Sequence, residues 1–471
     1  MHETATRTGA ARTAVAAATR STKSVVHWGL RQGVTRAAFA VGGRTRNPVA
    51  RLVGDPAEWV DPYPLYARIR EVPLASGPLL MATARHDVIS EIVRREEFRT
   101  GFQHEAVPRP LAAAAEWALD PGVRGFLERP SMLVTDGADH ARYRRLVSKA
   151  FTPRSLAVLR GRVEEITAGL LDRMAAGPKA DLFADFAQEL PVYVITEILG
   201  VTSDERDRFH AWARAIVPVF DFGVDYRTFR TANRAIRDIN AWLPAHLEQL
   251  RREPGPNLLS RVIAAGDEDR AAGGPGLDPV ELNAIASLLL GAGFETTLNL
   301  LGNGSVLLMR HPDQLAVLRE QPALWGNAVD EILRFDPPIQ NTVRHPVRTT
   351  EVQGVRVPKA RFVFLLLGAA NRDPAVFPDP DTFDVRRANA REHLAFSTGP
   401  HFCVGAALAR MEGEIGLRML FDRFPDLAPA GPAHHRPTRN FRGYDRIPVR
   451  LAAAPAAPLA VPGGGGVPAG Q

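Results

Sequence analysis

Several small groups of residues in this chain carry chemistry by type and spacing. Its single cysteine, Cys403, lies in the run Phe396-Ser-Thr-Gly399-Pro-His401-Phe-Cys403-Val-Gly405. A lone cysteine is ordinarily a small buried hydrophobe. Here Gly399 and Gly405 bracket it and allow close backbone approach, and an Ala/Leu-rich helical stretch, Ala406 to Phe421, starts directly after it. The N-terminal end of that helix is expected to favour a thiolate, so the sulfur is a candidate anionic metal ligand. A second group, Ala292-Gly-Phe-Glu295-Thr296-Thr297, interrupts an otherwise apolar helical run. Taken alone, Glu295 would face solvent and Thr296 would bond back to the preceding turn. His140 and Arg144 stand four apart on a predicted helix and share a face. Alone they read as part of a basic surface helix, since Arg142, Arg145 and Lys149 crowd the same stretch. Glu331 and Arg334, at i and i+3, would ordinarily be a surface pair worth a few tenths of a kcal/mol.

Taken jointly and in order, these runs resemble the cytochrome P450 family. Phe396, Gly399, His401, Cys403 and Gly405 match its F-G-x-G-x-H/R-x-C-x-G loop, with Ser397 in place of the second-position glycine. The resemblance implies that Cys403 binds the iron of haem b, where an axial thiolate pushes electron density towards dioxygen and promotes O–O cleavage. Ala292 to Thr297 is similar to the family's A-G-x-D/E-T-T element, which implies an oxygen-binding opening at Ala292 and a catalytic pair, Thr296 at the oxygen and Glu295 bringing protons from solvent. His140 and Arg144 match H-x-x-x-R; with Arg344 and His401 they are implied to hold the haem propionates, which need cationic donors. Phe396 and Gly405 complete the implied cofactor contacts. Glu331 and Arg334 match E-x-x-R, joined by Arg387 in Phe383-Asp-Val-Arg-Arg387, a buried structural triad. The acid-alcohol pair favours a monooxygenase that uses dioxygen over a peroxide-driven haem oxygenase. Intact Glu295, Thr296 and Cys403 speak against a non-catalytic haem-binding protein of the same fold.

The elements that position these groups are mainly helical, with a minor β-sheet subdomain, as the resemblance also implies. Apolar residues recur at three and four positions from Ser155 to Met174 and from Leu190 to Leu199. Asp278-Pro-Val-Glu281 reads as an N-cap with Pro at the first helical position and an acid at the third. The helix it opens runs to about Arg310, a rod of roughly 45–50 Å that can cross the whole domain above the haem. Thr350 to Val357, Phe362 to Leu367 and Arg446 to Leu451 read as strands. Residues 52–451 form one expected domain, preceded by a basic arm over 1–51, partly helical or flexible, and followed by an Ala/Pro/Gly-rich tail, 452–471, expected to be disordered.

Composition bounds what the protein can be. A chain of 471 residues, 45% hydrophobic and 23% charged, can bury a large cofactor. The net charge of +6 belongs to the arm: residues 1–51 hold nine Lys or Arg against Glu3 alone, leaving the remainder at −2, so no nucleic-acid partner is expected. No run approaches the roughly 18 uninterrupted apolar residues of a membrane span, no signal peptide opens the chain, and one cysteine cannot make an internal disulfide. A cytoplasmic, monomeric protein is expected. No dinucleotide-binding glycine motif follows a strand, and Gly302-Asn-Gly304 falls inside a helix, so electrons are expected from a separate ferredoxin and ferredoxin reductase. Arg142, Arg145 and Arg410 are the expected docking residues. Substrate contacts are expected from Phe102 to Trp117, from Ile216 to Phe222 including Phe220, from Leu289 and Ala292, and from Ile339 to Val343. These are mostly apolar, which suits a hydrophobic small molecule of polyketide, terpenoid, steroid or fatty-acid type.

Overall fold

The structure is a computed structural model that describes residues 21–451 except 102–108, 119, 124, 178–179, 202–204 and 222. The first part of the basic arm, the 452–471 tail and the 102–108 portion of the expected substrate segment lie outside the described residues.

The architecture is built around one helix, Pro279–Arg310. Its start is fixed as the sequence predicts: Asp278 Oδ1 accepts from the Glu281 N–H at 2.8 Å and Glu281 Oε2 accepts from the Asp278 N–H at 2.9 Å, a reciprocal cap. Glu281 is held further by Arg142 Nη2 at 2.5 Å and by the Tyr143 hydroxyl at 2.8 Å, which ties this end to the helix Gly137–Ser148. The helices Glu189–Leu199, Tyr226–Arg252, Trp325–Phe335 and Ala406–Arg423 pack around the central rod. The last of these approaches closely. A Cβ at Gly304 would stand 2.8 Å from Leu417 Cδ1, and one at Gly416 would stand 2.8 Å from Leu301 Cδ2, so glycine is required on both helices where they cross. That contact sets the depth at which the residues before Ala406, Cys403 among them, sit beneath the central helix. By length and hydropathy the central helix could cross a bilayer, but 72% of its apolar window is buried inside the protein.

The β structure is small. A five-stranded sheet runs Ala75–Ser76, Met81–Thr83, Val363–Leu365, Thr342–Pro346, Phe98–Arg99, with Met81–Thr83 and Val363–Leu365 parallel and the other pairs antiparallel. Its Thr342–Pro346 strand carries Arg344. Thr350 to Val357, expected as one strand, is a hairpin: Thr350–Val352 pairs with Val355–Val357 across Gln353 and Gly354, whose φ values of 43° and 78° are left-handed and reverse the chain in two residues. Arg446 to Leu451 is divided as well, Tyr444–Arg446 pairing with His434–His435 and Pro448–Arg450 with Ala180–Asp181 and Ala428–Pro429.

The expected domain boundary at residue 52 needs correction. It falls inside the helix Pro48–Gly54, where Val49, Ala50, Leu52 and Val53 are all buried, most of them in a cluster with Leu65, Tyr66 and Ile69. The preceding segment docks too: Trp28 Nε1 donates to the Val224 carbonyl at 2.8 Å and Arg36 Nη1 to the Gly223 carbonyl at 3.0 Å. Apolar side chains spaced among the arginines bind this part of the arm to the body.

Candidate active site

Cys403 hangs between two turns. The Cys403 N–H donates to the Phe396 carbonyl at 3.0 Å, a 3₁₀ turn covers Gly399–His401, and Gly405 caps the helix Ala406–Arg423. Ser397 keeps the turn that a glycine would favour by taking φ 59°, and its buried hydroxyl has no hydrogen-bond partner. The Arg410 guanidinium lies 4.7 Å over the Phe396 ring, fixing that side of the loop. Burial pushes the Cys403 thiol up, against the opposing pull of the Gly405 N–H and of Arg144 and Arg410. A helix terminus is a partial charge that desolvation opposes, and a coordinating metal deprotonates a thiol outright.

Two imidazoles and two guanidinium groups gather here. The rings of His140 and His401 lie 4.0 Å apart, and His401 Nε2 stands 3.1 Å from Asp136 Oδ1, whose other oxygen accepts from the Thr100 N–H at 3.0 Å. His140 is pushed down to about 4, by burial first and then by His401, Arg144 and Arg344 around it. Arg344 is 5% exposed and pushed down to about 10 by burial. Its Nη1 donates only to Thr342 Oγ1 at 3.2 Å and the Val343 carbonyl at 2.8 Å. Arg144 is likewise lowered by burial and feels the Cys403 sulfur. Among the described residues neither Arg344 nor Arg144 has a carboxylate in ion-pair contact. A buried guanidinium without a counter-ion is costly. The site therefore calls for an anionic group, and the two propionates of haem fit it.

The central helix faces this place through its least covered part. Its buried run stops at Leu290 and resumes at Phe294, while Ala292 and Gly293 are exposed although they lie mid-way along the most enclosed helix. They border a cleft. Thr296 Oγ1 donates to the Ala292 carbonyl at 2.9 Å, the back-bond expected of a mid-helix threonine. Glu295 does not face solvent: it is 2% exposed, Arg436 Nη1 lies 2.6 Å from its Oε1, and Asn299 Nδ2 donates to the same oxygen at 3.1 Å. Burial raises its pKa, Arg436 and Asn299 opposing.

The triad is assembled as expected. Arg334 Nε and Nη2 reach the two Glu331 oxygens at 2.6 and 2.8 Å, Arg387 Nε reaches the same carboxylate at 3.2 Å, and the Asp384 N–H adds a bond at 3.0 Å. Both arginines also donate to the Thr382 carbonyl, at 3.0 and 2.9 Å, so the meander is pinned to the helix Trp325–Phe335.

The residues expected at the substrate and docking surfaces fall in different surroundings. A small apolar cavity lies between the central helix and the helices Arg206–Ile216 and Tyr226–Arg252. Phe220 lines it, stacked on Phe126 at 4.8 Å. Leu289, Ile339 and Val343 do not. The cavity meets the central helix one residue later, at Leu290 and Gly291, which a 100° turn per residue puts on a different face from Leu289. Ile339 is instead bridged to Phe441, and Val343 is paired with Phe364 in the sheet. Two of the expected docking arginines are internally engaged: Arg142 with Glu281, and Arg410 with the fully buried Asp330 at 2.6 Å. Arg145, half exposed and 2.9 Å from Asp269, remains accessible. Sequence reasoning missed Arg436, Asp136 and the Asp330 hub, which also takes Arg391 and His393. Only Asn299, one turn after Glu295, had a readable signal.

A lone cysteine at a helix start, with a long central helix left uncovered at Ala292 and Gly293 and buried guanidinium groups lacking a carboxylate partner, fits a haem-thiolate protein. Comparison with known proteins agrees. The family model described as Cytochrome P450 matches residues 323–434. The chain is 44% identical over 441 residues to the putative cytochrome P450 140 of Mycobacterium bovis, covering 92% of this chain and 98% of that protein. It is 42% identical over 324 residues to the 6-deoxyerythronolide B hydroxylase of Saccharopolyspora erythraea, covering 68% and 78%. Among solved structures it is similar to P450BioI in complex with acyl carrier protein carrying hexadec-9Z-enoic acid, at TM-score 0.75 and 30% identity, covering 84% of this chain and all of that one. The chain belongs to the cytochrome P450 family. It is a monooxygenase with the cytochrome P450 fold, and its cofactor is haem b with a cysteine thiolate as axial ligand and dioxygen as co-substrate.

Proposed function

We propose that Cys403 is that axial ligand and that His140, Arg144, Arg344 and His401 hold the propionates, with Phe396, Gly405 and Ala292 forming the walls of the haem site. When bound, haem activates dioxygen, helped by electron density from the thiolate. The chain's own part is to deliver protons and exclude water. Glu295, whose pKa burial raises, is paired with Arg436, which is 19% exposed and leads outward to solvent, so protons reach the carboxylate along that side. Rotating the Thr296 hydroxyl off the Ala292 carbonyl turns it into the cleft as a donor. The substrate is a hydrophobic small molecule of polyketide, terpenoid, steroid or fatty-acid type, which is hydroxylated or epoxidised. Glu331, Arg334 and Arg387 keep the fold beneath the site and take no part in the chemistry.

Electrons come from a ferredoxin served by its reductase, in the cytoplasm. With its one cysteine at the haem the chain has no thiolates for an iron–sulfur cluster of its own. The observation that carries the proposal is the guanidinium of Arg344, buried beside the cysteine loop with only neutral partners. Stopped-flow mixing of the oxidised protein with reduced ferredoxin under carbon monoxide tests the electron route. Reduction should be fast at low salt, slow as salt rises, and slow again in Arg145→Glu. A rate indifferent to salt and to that reversal excludes electrostatic ferredoxin docking at this face.

A further inference from the structure

The central helix carries an internal standard for its hydroxyl side chains. Thr296, Thr297 and Ser305 each donate to the carbonyl four residues back, at 2.9, 3.2 and 2.7 Å. Such back-bonding is the ordinary fate of a helical hydroxyl. Ser287 departs from it. Its Oγ is buried with no hydrogen-bond partner, the residue is 8% exposed, and it lines the apolar cavity. One turn earlier on the same face, Asn283 Oδ1 is also buried without a partner. The other polar side chain of the cavity wall, Asn240, is turned to the Gly122 carbonyl at 3.2 Å. Phe126, Trp212, Ile216, Phe220, Leu290 and Phe294 supply most of the remaining surface, and no charged side chain is among the described lining residues.

A hydroxyl left unpaired in an apolar wall is unfavourable unless something arrives to pair it. We propose that Ser287 is the polar anchor of the substrate cavity and receives a neutral hydroxyl or keto oxygen of an otherwise apolar ligand. This rests on the monooxygenase reading and narrows it. A free carboxylate is unsuited to the anchor, because desolvating a charge in this cavity would go uncompensated.

Calorimetric titration of the haem-loaded protein with dodecan-1-ol, dodecane and dodecanoate tests the anchor. The alcohol should bind most tightly. Ser287→Ala should weaken the alcohol by ~3- to 10-fold while leaving the alkane unchanged, the loss expected for one neutral hydrogen bond. Ser287→Thr, which keeps the hydroxyl, should restore the preference. The carbon monoxide spectrum of each variant separates the two levels: a normal thiolate band with an unchanged alcohol-to-alkane ratio in Ser287→Ala overturns the anchor and leaves the monooxygenase standing. Tightest binding of dodecanoate, or no binding of the alcohol at all, overturns it too.

Discussion

Replacing Glu331 by Gln changes one oxygen for an NH₂ group and should unfold the protein readily. The carboxylate accepts from Arg334 at 2.6 and 2.8 Å, from Arg387 at 3.2 Å and from the Asp384 N–H at 3.0 Å, and neither Glu331 nor Arg334 is exposed at all. In Glu331→Gln the amide N–H₂ faces guanidinium donors, and two arginines lose their only buried anion. Removing one partner of a buried pair costs about 3–5 kcal/mol. At roughly 2.1 cal/mol/K of unfolding entropy per residue, a chain of 471 residues shifts by about 1 °C per kcal/mol, so the thermal midpoint should fall by about 3–5 °C. The assay is thermal unfolding of the haem-loaded protein followed by ellipticity, with the Soret band read in parallel. The double variant Glu331→Leu/Arg334→Met removes both charges and should recover part of the loss, since an apolar pair of similar volume replaces a buried ion pair at little cost. A midpoint within about 1 °C of the parent in Glu331→Gln, or a double variant worse than the sum of its singles, refutes the reasoning.

Two further predictions concern the elements that hold the site. Glu281 is held down to about 2 from its ordinary 4.5, first by its hydrogen bond with Arg142, so the cap it gives the central helix is fully present above 4.5 and is lost as pH falls towards 2. The stability gap between the parent and Glu281→Gln, read by urea titration, should be widest near neutrality and close across that interval; a gap that stays constant denies the pair its role. Ser397→Gly should stabilise by ~1 kcal/mol, because it releases a left-handed serine and removes a buried unpaired hydroxyl, against the entropy a glycine adds to the unfolded chain. A lowered thermal midpoint in that variant would mean that the Ser397 side chain holds the loop.

Local chemistry was legible in the sequence, and distant partnership was not. Asp278 and Glu281 announced their reciprocal cap because both bonds lie within one turn. Cys403, Gly405 and the helix start were readable for the same reason. Arg387 could be joined to Glu331 across the intervening chain only through the family resemblance. Arg436 reaches Glu295 from a segment just after the strand His434–His435, about 140 residues later, so no spacing rule points to it. Arg142 and Arg410 read as surface charge because their acids, Glu281 and Asp330, are brought to them by helix packing. The cavity's contact with Leu290 in place of Leu289 turns on a single residue of helical rotation, a margin that apolar periodicity does not resolve.

The most direct test concerns the sulfur. Reduced, haem-loaded protein exposed to carbon monoxide should show the red-shifted Soret band of thiolate ligation, and Cys403→Ser should lose that shift while Ser287→Ala keeps it. A parent protein whose band is unshifted, or one that takes up no haem when it is supplied, contradicts the assignment of Cys403 as the iron's ligand.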